Sequence, residues 1–283
     1  MKLRKILQTI PLLISVIANA NIGVAKADDE IDADISQPKL DHVHLPSDIG
    51  GKMFYHSAGD PQGQRVIFIH GTPGSKGAWK DYLAEVPSGF EYISVDRPGF
   101  GDSSPQRAVP IMRQVEIMEQ FLTESSTGEK PIIVGHSYGG TMVAIMAALY
   151  QDKLGGAVIL AGSVSPELDN PRSIQKVGQY PPFKYLLPRN LRNANDEVIA
   201  LEQEAKQFPA MWPDIKMPVV VLQGEKDPLV SVKNVDFMKE KMINAKLDLK
   251  VLPGINHFLP WNSKDHVDER IRTAVEYSRK GAK

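Results

Sequence analysis

Between Pro131 and Leu149 the chain passes from a short apolar run, through a tight glycine turn, into a longer apolar run. Pro131-Ile-Ile-Val134 has the β-branched character of a buried strand. Thr141-Met-Val-Ala-Ile-Met-Ala-Ala-Leu149 reads as a buried helix. Between them stands Gly135-His-Ser-Tyr-Gly139, with Gly140 following. The combination predicts strand, sharp turn and helix, with the Ser137 hydroxyl at the tip. So tight a turn forces Ser137 into a strained backbone conformation and brings helix and strand almost into contact, which leaves no room for side chains at the flanking glycines. The bare Gly-x-Ser-x-Gly pattern arises by chance in about one chain in ten of this length. Its position between strand and helix is what marks a candidate nucleophile elbow; the competing reading is a glycine-rich βα turn with a buried or capping serine.

The rest of the chain repeats the strand-then-helix rhythm. Val43 to Leu45 and Lys52 to His56 read as short strands around a turn, and Arg65 to His70 as an apolar strand entering Gly71-Thr-Pro-Gly74. Trp79 to Val86 suits a short helix. Phe90 to Val95 is the next strand and ends in Asp96-Arg-Pro-Gly-Phe-Gly-Asp-Ser103. Ile111, Val115, Met118 and Leu122 share a helix face, with Gly128 where a C-terminus would want it. Ala157 to Leu160, Pro218 to Gly224 and Leu247 to Leu252 complete eight strands, with helices beginning near Ser231 and Ser263. Alternation of this kind predicts an α/β fold with a mostly parallel sheet and helices on both faces. Ligands of such sheets bind at the carboxyl ends of the strands.

The rhythm breaks between residues 164 and 214, which hold seven prolines and no strand-like run. Within it, Asp196 to Phe208 places Val198, Leu201, Ala205 and Phe208 on one face, with Asn195 as N-cap. The stretch is expected to be a mostly helical cap or lid over the carboxyl edge of a core formed by residues 41–163 and 215–283.

A serine hydroxyl needs a base to take its proton, the base needs a carboxylate to hold its tautomer, and the oxyanion formed needs donors. His257 follows the last strand in a Gly-x-x-His turn, and Asp227 follows the strand before it. Glu225 stands two residues from Asp227 as an alternative acid. His266 competes with His257 but falls inside the closing helix, where it reads as a surface residue. His70 and His136 sit in motifs without a carboxylate arranged for them and read as structural, and Asp96 and Arg97 as pins for their own loop. His42 and His44 are expected in solvent. The seven histidines show no metal-binding spacing, and no phosphate- or dinucleotide-binding glycine motif occurs, so no metal or cofactor is expected.

Five pieces, namely His70-Gly-Thr-Pro-Gly74, Asp96-Arg-Pro-Gly-Phe-Gly-Asp-Ser103, Gly135-His-Ser-Tyr-Gly139, Gly224-Glu-Lys-Asp227 and Gly254-Ile-Asn-His257, fall in order at strand ends. From about residue 50 onward the chain resembles capped serine hydrolases of the α/β-hydrolase fold, whose triad order is Ser, acid, His. That resemblance implies an eight-stranded sheet, with Ser137 as nucleophile, His257 as general base and then acid, and Asp227 as orienting carboxylate. It implies an oxyanion hole made by the backbone N–H groups of Thr72 and Tyr138. The His of the His-Gly motif braces the oxyanion loop in this family. The activity implied is carboxylesterase-like: hydrolysis of an ester or related acyl bond of a small, largely apolar substrate. Carbon–carbon bond hydrolases, aminopeptidases and low-turnover ligand-binding members share the fold and remain alternatives. Epoxide hydrolases and haloalkane dehalogenases have a similar Asp-Arg-Pro-Gly-Phe-Gly loop but attack with aspartate, whereas position 137 is serine.

The N-terminus has the layout of a secretory signal: basic Met1 to Lys5, an apolar core from Ile6 to Ile17, and Ala-x-Ala sites ending at Ala20 and Ala27. Cleavage after Ala27 is expected, with Ala20 the alternative site, followed by a flexible lead-in over 28–40, and a secreted or periplasmic location, with retention as a membrane anchor the other alternative. Lys2, Arg4, Lys5 and Lys26 are the charges of the first 27 residues; without them 29 of the 33 bases face 34 acids, a net charge of −5. No basic patch suits nucleic acid, and no stable membrane insertion is expected after signal cleavage. There is no cysteine, hence no disulfide or thiol nucleophile.

Overall fold

The computed structural model describes residues 38–168, 178–181 and 183–281. The expected signal sequence and most of the lead-in lie outside these residues. Eight strands form one sheet: β1 (Lys39–His44), β2 (Lys52–Gly59), β3 (Gln64–Ile69), β4 (Phe90–Val95), β5 (Ile132–His136), β6 (Gly156–Leu160), β7 (Pro218–Gly224) and β8 (Lys246–Leu252). Their spatial order is β1-β2-β4-β3-β5-β6-β7-β8. β2 is antiparallel to both neighbours, and every pairing from β4 to β8 is parallel. The helices are α1 (Lys80–Leu83), α2 (Ile111–Met118), α3 (Tyr138–Leu149), α4 (Phe183–Leu186), α5 (Arg189–Glu204), α6 (Lys233–Lys241), α7 (Leu259–Asn262) and α8 (Lys264–Gly281).

The unbroken apolar strands follow from burial on both faces. Ile67, Ile69, Ile133, Ile159, Val219 and Val221 join one core with residues of α2 and α3, including Val115, Met118, Met142 and Met146. The alternate residues Val66, Phe68, Ile132, Val134, Val158 and Leu222 join the other, with Trp79, Tyr82 and, from α8, Val267 and Ile271. Phe68 is the centre of an aromatic group there, its ring 4.9 Å from Trp79 and 5.2 Å from Tyr92. Among the described residues no helix is long and apolar enough to cross a membrane.

Several boundaries differ from the sequence expectations. Lys39 and Leu40 already belong to β1, paired with Ser57 and His56, and His42 is half-buried against Phe54 instead of free in solvent. Helix α2 gives way to a 3-10 turn ending at Phe121, so Gly128 caps no helix; at φ +80° it closes the Ser125–Glu129 turn that precedes β5. Helix α5 begins at Arg189 directly after Pro188, whose ring pre-sets the entry, and Asn195 lies in its interior. The residues it buries are Asn193, Ala194 and Glu197, while Val198 is only half-buried. A 3-10 stretch, Ala205–Asp214, continues from α5 and buries Phe208 and Trp212 in the first core.

Candidate active site

Ser137 has φ +56° and ψ −120°, a strained combination for a residue with a side chain. Its N–H is held by the Leu160 carbonyl at 2.9 Å. The glycines around it have close neighbours: a Cβ on Gly135 would lie 2.1 Å from the Gly139 carbonyl oxygen, and one on Gly139 2.3 Å from that of Ile69. These approaches pack α3 against the ends of β3 and β5. From residue 131 to residue 147 every position is buried except Ser137. The turn therefore lifts one hydroxyl out of a buried strand–helix unit.

The second part of the site is assembled by β7 and β8. A Cβ on Gly224 would lie 2.5 Å from the Asn256 carbonyl oxygen, so glycine at the end of β7 lets the loop after β8 close over it. Lys226 N–H to the Ile255 carbonyl at 2.9 Å ties the loops together. Nδ1 of His257 lies 2.7 Å from Oδ2 of Asp227, both side chains being almost fully enclosed. Oδ1 of Asp227 accepts the N–H groups of Leu229 and Val230, each at 2.8 Å. Burial by itself raises the Asp227 pKa; the hydrogen bond and charge of His257 and those two N–H groups outweigh it and hold the carboxyl below its ordinary value. With Nδ1–H given to a carboxylate, Nε2 of His257 is the free basic nitrogen. Glu225 is exposed and accepts the Gly254 N–H at 2.8 Å, so it plays no part in holding His257. His266 is exposed on α8 beside Glu269.

His136 and His70 brace the site. Nε2 of His136 donates to the His257 carbonyl at 2.9 Å, with ring centroids 4.7 Å apart. Burial, and then the neighbouring His257, pull its pKa down to about 3, so the ring is neutral. His70 is neutral for the same first reason, burial, followed by the charge of Arg97. Its Nδ1 reaches the Gly71 carbonyl at 2.7 Å and its Nε2 accepts the Arg97 N–H at 3.1 Å.

Gly71 and Tyr138 lie next to Ser137. A Cβ on Gly71 would come 2.9 Å from that of Ser137, which puts the Gly71–Thr72 peptide directly against the elbow. Tyr138 is the first residue of α3, so its N–H has no partner within the helix. Among the described residues neither the Thr72 nor the Tyr138 N–H has an acceptor. Asp96 pins its own loop by accepting the Lys76 N–H, the Lys76 ammonium and the Asp102 N–H at 2.6, 2.8 and 2.9 Å. Among the described residues no three His, Asp or Glu side chains are grouped to hold a metal.

One buried pair escaped the sequence reading. Arg97, with no exposed surface, is joined to Glu197 of α5, and every N–H of its guanidinium is used. An acid at position 197 beside an apolar stripe was the one available signal.

The strand order, the single antiparallel strand at β2 and the strained Ser137 turn between β5 and α3 define an α/β hydrolase fold. The sequence model of the alpha/beta hydrolase fold matches residues 64–183. Epoxide hydrolase 3 of Xenopus tropicalis is 22% identical over 278 residues, covering 80% of this chain and 75% of that protein. A monoacylglycerol lipase from Paleococcus ferrophilus superposes with a TM-score of 0.62 at 20% identity, over 80% of this chain and 99% of that one. A hydrolase from Pseudomonas aeruginosa PA01 superposes with a TM-score of 0.63 at 14% identity, over 83% and 98% of the two chains. The chain is a protein of the α/β-hydrolase fold.

Proposed function

We propose that the protein is a serine hydrolase that cleaves carboxylic esters or related acyl bonds of small, largely apolar substrates. The observation that carries this is the accessible Ser137 at a strained elbow, in a molecule whose β7 and β8 loops hold a His257–Asp227 pair at 2.7 Å. Ser137 Oγ attacks the acyl carbonyl as Nε2 of His257 takes its proton, and Asp227 stabilises the imidazolium. The carbonyl oxygen, now an alkoxide, is received by the N–H groups of Thr72 and Tyr138. The same proton is returned to the departing alkoxide, which leaves as the alcohol and an acyl-Ser137 ester. Water, deprotonated by His257, then releases the acid and restores the serine.

Similarity to an epoxide hydrolase invites a second chemistry, and the residue at 137 argues against it. A carboxylate that opens an epoxide forms an ester, which water can cleave. A serine that opens one forms an ether, which this set of groups has no means of hydrolysing. The apolar and aromatic composition of residues 164–214 supports an apolar acyl or alcohol group. The test is hydrolysis of a short-chain nitrophenyl ester by wild type and Ser137→Ala. A loss of several orders of magnitude, with labelling of Ser137 by a fluorophosphonate, is expected. A loss of only a few-fold overturns the proposal.

A further inference from the structure

Arg97 and Glu197 lie 100 residues apart in sequence and meet with essentially no solvent exposure. The contact is bidentate: Nη1 to Oε1 at 2.6 Å and Nη2 to Oε2 at 3.0 Å. A planar guanidinium has five N–H donors, and all five are placed. The other three go to Gln114 Oε1 at 2.8 Å, the His70 carbonyl at 3.0 Å and the Gly71 carbonyl at 2.9 Å. Glu197 also accepts the Gln114 side-chain amide at 2.7 Å. The group thus bridges the β3 loop, α2 and α5.

The Gly71 carbonyl is the consequential partner. It belongs to the same planar peptide unit as the Thr72 N–H. A group that fixes this carbonyl fixes the direction in which the N–H points. Arg97 and Nδ1–H of His70 both donate to it, and drawing electron density toward the oxygen makes the N–H a stronger donor. The guanidinium carbon also lies 4.6 Å from the ring centroid of Tyr138, the residue that carries the other proposed donor.

We infer that Glu197, from the connection between β6 and β7, is a positioning residue for the oxyanion donors and acts through Arg97. This rests on the serine-hydrolase reading. Glu197 neutralises and orients Arg97, and Arg97 orients the Gly71–Thr72 peptide. A buried guanidinium cannot be left without its carboxylate at small cost. Helix α5 therefore stays docked when substrate enters and forms a fixed wall of the site, not a moving lid.

The test is Glu197→Gln, which keeps the shape and removes the charge, with Arg97→Lys as a second variant that keeps a positive charge and removes the fork. Rates on the nitrophenyl ester are expressed per Ser137 titrated with fluorophosphonate, so that loss of folded protein does not count. The expected result is a fall in kcat of about tenfold or more, with KM within about twofold. Affinity for a boronic acid that mimics the tetrahedral adduct should fall in parallel. Amide exchange at Gly71, Thr72 and Gly74, which needs no turnover, should quicken in both variants. Unchanged kcat per titrated site, a loss confined to KM, or unchanged exchange at these amides overturns the inference. Failure of the serine-hydrolase reading shows separately, as activity retained in Ser137→Ala, and amide exchange then still decides whether Glu197 holds the peptide.

Discussion

Nε2 of His136 donates to the main-chain carbonyl of His257 at 2.9 Å, so the residue beside the elbow serine holds the backbone of the histidine at the end of β8. The contact makes the elbow and the β8 loop one unit, although 121 positions separate them. His136→Leu removes one of the two donors to the His257 carbonyl, which keeps the Leu259 N–H at 2.9 Å, at a cost of about 0.5–1.5 kcal/mol. The expected outcome is a lower melting temperature and a kcat/KM reduced by about tenfold, since small displacements of a base are expensive in rate. His136→Gln, which can donate to the same carbonyl, should retain most of both. Thermal melts and ester kinetics on the two variants check this.

The buried neutral state of His136 has a pH consequence. Its folded pKa, about 3, lies below the ordinary value of 6.5. Between those values the unfolded chain binds a proton that the folded one does not, so stability is present above pH 6.5 and lost as pH falls toward 3. The slope is about 1.4 kcal/mol per pH unit for one such group. Urea unfolding of wild type at pH 7 and pH 4.5 should show a larger loss than His136→Gln over the same interval. Equal losses in the two proteins would refute the assignment.

Asp227 and Glu225 are separated by one residue and by their surroundings. Asp227→Asn should cost on the order of ten-thousand-fold in kcat, because the amide favours the wrong tautomer of His257. Glu225→Gln should stay within about twofold, since Glu225 only accepts the Gly254 N–H at the surface. Steady-state kinetics on both variants separate the two acids.

Gly139→Ala would place a methyl 2.3 Å from the Ile69 carbonyl oxygen and 2.7 Å from that of His70, both backbone atoms that cannot swing aside. The expected outcome is a loss of stability of about 1–3 kcal/mol together with most of the activity. Gly77 has a negative φ and its nearest neighbour would be Ser75 Oγ at 3.5 Å, so Gly77→Ala is the matched control, within about 0.5 kcal/mol of wild type. Chemical denaturation of both variants checks this.

Much of this architecture was legible in the residues because its causes are local. Apolar runs with flanking glycine and proline mark strands buried on two faces, and all eight were found, with ends displaced by a few residues. The glycines at 135 and 139 signalled the elbow because close backbone approach leaves a compositional trace. The Asp227–His257 pair was anticipated because both residues end neighbouring strands of a parallel sheet. What the residues did not show had a distant cause. Leu201, Ala205 and Phe208 pack against the first core as their spacing predicts, but α5 also buries Asn193 and Glu197, which an apolar stripe does not mark. An apolar stripe is visible in a sequence; a buried acid looks like any surface acid until its partner is known.

The chain by itself determined the strand–helix alternation, the strained serine turn and the order of serine, acid and histidine. Those features follow from side-chain period and backbone sterics acting over a few residues. Tertiary structure decided which polar groups meet: Arg97 with Glu197, His136 with the His257 carbonyl, and Arg97 with the Gly71 carbonyl. Charge and hydrogen-bond partners are chosen by distance in space after the sheet has closed, and that distance is set by packing and not by sequence separation.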